Sequence, residues 1–212
     1  MEAIIRFFQD GGAFMVPIAI IMVIGLVIAL ERLLFLMKEK SGNRRAFEDM
    51  LPILRKRDFR SALNYANSSE TKIANIFAGA IARIPGSSRR EEIEYALEEG
   101  LMEAIPQLEK RTQYVATLAN IATLMGLLGT IMGLIAAFTA VANAAPAEKA
   151  TLLSQSISVA MNTTAFGLMA AIPLLLLHSF LQSKTNEIVD SIEMAGVKFL
   201  NIITERKNDS AQ

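Results

Sequence analysis

Residues 112–147 read TQYVATLANIATLMGLLGTIMGLIAAFTAVANAAPA, 36 positions without one Asp, Glu, Lys or Arg. As a helix rising 1.5 Å per residue, that run would reach roughly 50 Å, whereas a hydrocarbon core is about 30 Å thick. It therefore holds a transmembrane helix together with a projecting end or a loop. A second such run, residues 150–183, is 34 positions long and contains only His178 as a titratable group. Asn143-Ala144-Ala145-Pro146-Ala147-Glu148-Lys149 lies between them and supplies a turn, so the two runs form a tight hairpin with almost nothing exposed at its tip.

Working outward, Gly11–Leu30 is a third charge-free run, 20 residues long, which just spans a bilayer. A cleaved signal peptide is the competing reading. It lacks a basic n-region, because Arg6 stands against Glu2 and Asp10, and Glu31-Arg32 follow where a small-residue cleavage site belongs. The segment is expected to be retained. Residues 1–10, with Ile4, Ile5, Phe7 and Phe8 beside Glu2, Arg6 and Gln9, suit an amphipathic helix lying at the interface.

From Lys38 to Arg111 the composition turns charged and amphipathic. Ile93, Leu97, Gly100, Leu101, Ala104, Ile105 and Leu108 recur at helical spacing, and Asp58 is placed to start a helix over 57–66. Ser41-Gly42-Asn43, Asn67-Ser68-Ser69 and Pro85-Gly86-Ser87-Ser88 carry loop signals. Beyond Lys184, the spacing of Ile188, Ile192, Ala195, Phe199 and Ile202 extends the last helix into water as a packed tail. Fourteen of the 21 Lys and Arg lie between Lys38 and Arg111, so the positive-inside rule puts this domain and the tail in the cytoplasm and the N-terminus on the other side.

The expected architecture is an all-α membrane protein with three transmembrane helices and long cytoplasmic helical extensions, N-terminus periplasmic and C-terminus cytoplasmic. Its divisions are an interfacial helix over 1–10, a first transmembrane helix over 11–37 and a cytoplasmic helical domain over 38–111. A second transmembrane helix over 112–142, a periplasmic turn over 143–150, a third transmembrane helix over 151–183 and a cytoplasmic tail over 184–212 complete them.

Composition excludes much else. The 21 basic residues balance 21 acidic ones, leaving no global field for nucleic acid. Without cysteine there are no disulfides or thiolate metal sites, and no HExxH, CxxC or GxGxxG motif is present. No bound cofactor or metal is expected. An intramembrane hydrolase is disfavoured because the spans hold no Ser-His or paired-Asp arrangement, so the chain does not read as an enzyme.

The hairpin itself is built from small residues. Gly126, Gly129, Gly133 and Ala137 form a flat stripe on its first helix, and Ala160, Thr164, Gly167 and Ala171 repeat the device on its second. Such faces let helix backbones approach closely, inside one subunit, between subunits, or both. The bland reading of the glycines is packing. Polar residues are less easily dismissed: Ser154, Gln155, Ser156, Ser158, Asn162, Thr163 and Thr164 crowd the third span, with Thr123 and Thr130 in the second. The amides of Gln155 and Asn162 would be unsatisfied against lipid, so this face turns to protein or a hydrated path. Yet neither run contains a carboxylate. A proton carrier needs a titrating group, which another chain must then donate. His178 reads as a packed or interfacial histidine, Pro173 as a bend, Glu31-Arg32 as a snorkelling local pair, and Lys110-Arg111 as a membrane boundary.

Leu118-Ala119-Asn120-Ile121-Ala122 followed by Gly126-Leu127-Leu128-Gly129-Thr130-Ile131-Met132-Gly133-Leu134-Ile135 resembles the second-helix signature of the ExbB/TolQ/MotA ion-channel subunits. Thr164-Ala165-Phe166-Gly167-Leu168-Met169-Ala170-Ala171-Ile172-Pro173 resembles their third-helix signature. Three helices with a large first loop resemble ExbB and TolQ more than the four-helix MotA type. The resemblance implies a homopentamer in the bacterial inner membrane around two copies of an ExbD- or TolR-like protein, each with one helix carrying an essential Asp. It implies ion flow, H+ with Na+ as the alternative, coupled to work on an envelope partner. The family's pore threonines fall on Thr130 and Thr164, with Asn162 and Thr163 as further oxygen ligands beside them. Where many members have Pro and Glu, this chain has Thr123 and Val159.

Overall fold

The computed structural model describes residues 11–84 and 90–209, with side-chain environments through residue 203. Its elements are α1 (Met15–Arg55), α2 (Phe59–Ser68), α3 (Lys72–Arg83), α4 (Arg90–Glu109), α5 (Thr112–Ala142) and α6 (Lys149–Asp209). Among the described residues the fold is all-helical, and α1, α5 and α6 each contain a window long and apolar enough to cross a membrane. The interfacial helix expected over 1–10 and the loop signal at Pro85–Ser88 lie outside the described residues.

The chain divides into two compact units. The first takes in residues up to Arg32 and Arg111–Phe180; the second takes in Leu33–Lys110 and the chain from Leu181 onward. The first unit is the helix bundle of the apolar runs. Ile18, Val115, Ala119, Ala122, Ala170 and Leu174 are fully enclosed in it. Its outward surface is aliphatic, with Val23, Val27, Leu124, Phe138 and Leu176 all more than half exposed. In water that surface would be an aggregation liability; in a bilayer or against another subunit it is the expected finish.

The second unit has a conventional interior. Ile188, Ile192, Ala195 and Phe199 are buried, as the spacing of the tail predicts, while its last member, Ile202, is half-buried; Ile93, Leu97, Ala104 and Leu108 of α4 are buried with them. Phe77 stacks on Phe199 with ring centroids 4.7 Å apart and meets Phe47 edge-on at 6.1 Å. Gly100 lies against Ile76, where an added Cβ would come within 3.2 Å of the Ile76 Cα, so its lack of a side chain lets α3 and α4 pack closely.

One expectation is corrected here. Ser41-Gly42-Asn43 is not a loop, since α1 runs through it without interruption. Its composition serves packing. Asn43 is buried and its Oδ1 accepts a 3.1 Å hydrogen bond from the Ile73 N–H, capping the start of α3, where Thr71 provides no side-chain cap. A Cβ on Gly42 would come within 3.3 Å of the Thr71 methyl. Tertiary contacts thus outweigh the roughly 1 kcal/mol that glycine costs within a helix.

The α1–α2 corner is a Schellman motif with Arg57 in the left-handed region at φ 59°. Asp58 N–H donates to the Ile53 carbonyl and Arg57 N–H to that of Leu54. Asp58 then caps α2, accepting from the Ser61 N–H at 3.0 Å and the Ser61 hydroxyl at 2.6 Å, which holds its carboxyl below the usual carboxylate range.

Candidate functional site

In the first unit, α5 and α6 are joined by residues 143–148 and packed through their small residues. A Cβ on Gly126 would meet the Gly167 Cα at 3.2 Å, and a Cβ on Gly167 would meet the Ala122 carbonyl oxygen at 2.8 Å. Gly129 accommodates the Thr163 methyl and Gly133 the Ala160 methyl, at 2.3 and 2.8 Å from where their own Cβ atoms would stand. Ala171 is buried. The two flat stripes therefore pack against each other within one chain.

The closeness makes polar contacts available. The Thr164 hydroxyl crosses between helices and donates to the Gly126 carbonyl at 2.8 Å. The Thr163 hydroxyl, 2% exposed, lies 2.6 Å from the Gly11 carbonyl and 3.0 Å from that of Val159, so its single proton ties the start of the first span to α6. Thr130 donates to its own helix, to the Leu127 carbonyl at 2.6 Å. Asn162 is half-exposed and makes no hydrogen bond among the described residues. Of the four polar residues singled out, Thr163 is thus enclosed, Thr164 bridges α5 to α6, and Thr130 and Asn162 remain partly accessible.

Thr151, Gln155, Ser158, Asn162 and Ala165 follow one another at four- and three-residue steps, so they share a face of α6. Thr151, Gln155, Ser158 and Ala165 are exposed. A polar stripe open at the surface of an apolar bundle cannot face hydrocarbon cheaply. At the far end of the span, the His178 ring bonds the Thr112 carbonyl at 3.1 Å, which requires the proton on Nδ1. Glu31 reaches Arg111, at the start of α5, at 3.6 Å. Two contacts had no readable signal: Thr163 with Gly11, and Gly25 of α1 against the Leu174 side chain, where a Cβ would come within 2.8 Å. A glycine amid large aliphatics, as at Gly25, is the only hint the sequence offers. Among the described residues there is no cluster of three or more His, Cys, Asp or Glu able to hold a metal.

The model of the MotA/TolQ/ExbB proton channel family matches residues 68–194, which includes the small-residue hairpin and the polar stripe. The chain belongs to this family. A putative biopolymer transport protein ExbB homolog of Methanothermobacter thermautotrophicus is 27% identical over 193 residues, 90% of this chain and 67% of that one. The Tol-Pal system protein TolQ of Haemophilus influenzae is 37% identical over 86 residues, covering 40% of this chain and 36% of that protein. The structure of C. jejuni MotAB superimposes with a TM-score of 0.60 at 17% identity, over 92% of this chain and 78% of that one, a likeness of fold. Membership in the family makes the protein an ion-channel subunit of the motor type, and places its apolar helices in a membrane.

Proposed function

We propose that the chain is the channel-forming subunit of a bacterial inner-membrane motor. It assembles as a homopentamer around two copies of an ExbD/TolR-like protein and couples H+ flow to work on an envelope or outer-membrane partner. The basic residues of 38–111 hold that region and the tail in the cytoplasm, with the N-terminus periplasmic. The observation that carries the reading is the exposed polar stripe on α6 in a span without a carboxylate. Such a stripe suits a hydrated path whose titrating group comes from another chain.

Thr130, Thr164 and Asn162 are the pathway residues of this proposal, and Thr163, the fourth candidate, is enclosed beside them and holds the first span against α6. The hydrogen bonds give the threonines a definite polarity. With their protons committed to the Leu127 and Gly126 carbonyls, the Thr130 and Thr164 oxygens offer lone pairs only. They accept from water or from a protonated carboxyl and so favour the neutral form of a partner Asp, the form that carries the proton. A stripe rich in oxygen ligands would also serve Na+; the three-helix type favours H+.

The test is partner-dependent ion flux into vesicles containing both proteins. Thr130→Val is expected to lower flux about tenfold or more, as loss of a hydrogen bond to an ionisable group worth ~1.5–3 kcal/mol implies. Thr164→Val should do likewise, with Thr164→Ser restoring flux because it keeps the hydroxyl on the Gly126 carbonyl. Unchanged flux in both valine variants would refute the assignment of these threonines to the pathway, whereas absence of any partner-dependent flux from the parent would leave a non-conducting scaffold.

A further inference from the structure

The second unit carries a groove of about 280 Å³ between α4 and α6, floored by Leu97, Ile192 and Leu200. Gly196 lines it without filling it, and Val197 stands 56% exposed at its edge. Glu94, Glu98 and Glu193 rim this apolar floor. Among the described residues none of the three is in an ion pair. α4 as a whole holds seven glutamates against Arg90.

The complementary surface is on the same unit. At the α1–α2 corner, Arg55, Lys56 and Arg60 are exposed and outside any ion pair among the described residues, while Arg57 donates to the Ile203 carbonyl. Asp58, the acid within this cluster, is occupied in capping α2. Exposed Pro52 and half-buried Phe59 give the corner an apolar component.

From this separation of charge we infer that the acidic groove receives the α1–α2 corner of a neighbouring copy of the chain, Arg55, Lys56 and Arg60 meeting Glu94, Glu98 and Glu193. A ring of more than two identical subunits needs a head-to-tail contact between two unlike, complementary faces, whereas a two-fold dimer needs one face that matches itself. Two oppositely charged patches on one unit supply such a pair of unlike faces. The inference rests on the homo-oligomeric assembly proposed above and assigns the cytoplasmic contact within it.

The absence of native cysteine makes the test clean. Glu98→Cys and Arg60→Cys are introduced into separately tagged full-length chains, co-expressed with the partner, and treated in membranes with a short bismaleimide. Mixed dimers are expected from the pair, a ladder of higher species when both cysteines are in one chain, and no dimer from either single variant. Gly196→Leu should abolish the mixed dimer by filling the groove. Its Cβ would approach nothing nearer than Leu97 at 3.9 Å, and the rest of the side chain has the open groove to enter. Lack of mixed dimers from a complex that native mass spectrometry shows to be intact would overturn the groove assignment alone, as would self-dimers from a single variant. A chain that stays monomeric with its partner present would overturn the assembly and this contact together.

Discussion

Replacing Gly167 by alanine tests the packing on which the hairpin depends. The new Cβ would stand 2.8 Å from the Ala122 carbonyl oxygen and 3.0 Å from the Gly126 Cα, both backbone atoms that no rotamer change can move. Ordinary contact begins near 3.4 Å, so α5 and α6 must separate by 3.4 − 2.8 = 0.6 Å. The Thr164–Gly126 bond, now 2.8 Å, is stretched by a similar amount and weakened. Overpacking of this kind costs about 1–3 kcal/mol, and a membrane interhelical hydrogen bond adds ~0.6 kcal/mol. An expected loss of about 2–3 kcal/mol corresponds to an apparent Tm lower by roughly 5–10 °C for a chain of this size. Far-UV circular dichroism in mild detergent follows the melt without needing tryptophan, which the chain lacks. Gly79→Ala is the internal control. Gly79 is exposed within α3 and its Cβ would meet nothing within 4 Å, so alanine there should stabilise by about 0.5–1 kcal/mol. The same substitution thus changes sign between the two sites. A Gly167→Ala variant that melts with the parent, while Gly79→Ala behaves as expected, would refute the close approach of α5 and α6.

Thr163→Val keeps the shape of the side chain but leaves the Gly11 carbonyl without its donor, a loss of about 1–3 kcal/mol in thermal stability that Thr163→Ser should largely recover. Glu187 is hydrogen-bonded by Lys40 and Lys184, which lower its pKa from 4.5 to about 2. A depressed folded-state pKa means stability present above the unfolded value and lost as pH falls from about 4.5 toward about 2. The Tm gap between the parent and Glu187→Gln should therefore be largest near neutral pH, shrink through that acid window and diminish in high salt; a gap that is constant across it would rule out this pairing as its source.

Much of the frame is legible because charge edges are sharp. Arg111 and the Asn143–Pro146 turn bracket α5, and the tail spacing from Ile188 to Phe199 names residues that are in fact enclosed. Ser41-Gly42-Asn43 misleads because local propensity is a weak prior where a buried side chain has a distant task, here capping α3. The left-handed backbone at Arg57 and Arg111, as distinct from the position of these corners, hides for a related reason. Both adopt positive φ, 59° and 66°, at positions where glycine is the usual sign. At the candidate site, residue type signals small and polar faces, but the direction of each hydroxyl depends on which carbonyl lies opposite, and for Thr163 that carbonyl is 152 positions away.

The shortness of the α5–α6 turn also bears on how the protein is made. Everything between the two helices amounts to residues 143–148, and the charged pair at its end, Glu148 and Lys149, sums to zero. Carrying one net charge through a membrane potential involves about 2.3 kcal/mol per 100 mV. A neutral tip escapes that electrical work in either direction, and its few polar groups limit the dehydration cost. The hairpin can therefore enter the bilayer as one prefolded wedge during synthesis, with its glycine faces already joined before any neighbour arrives.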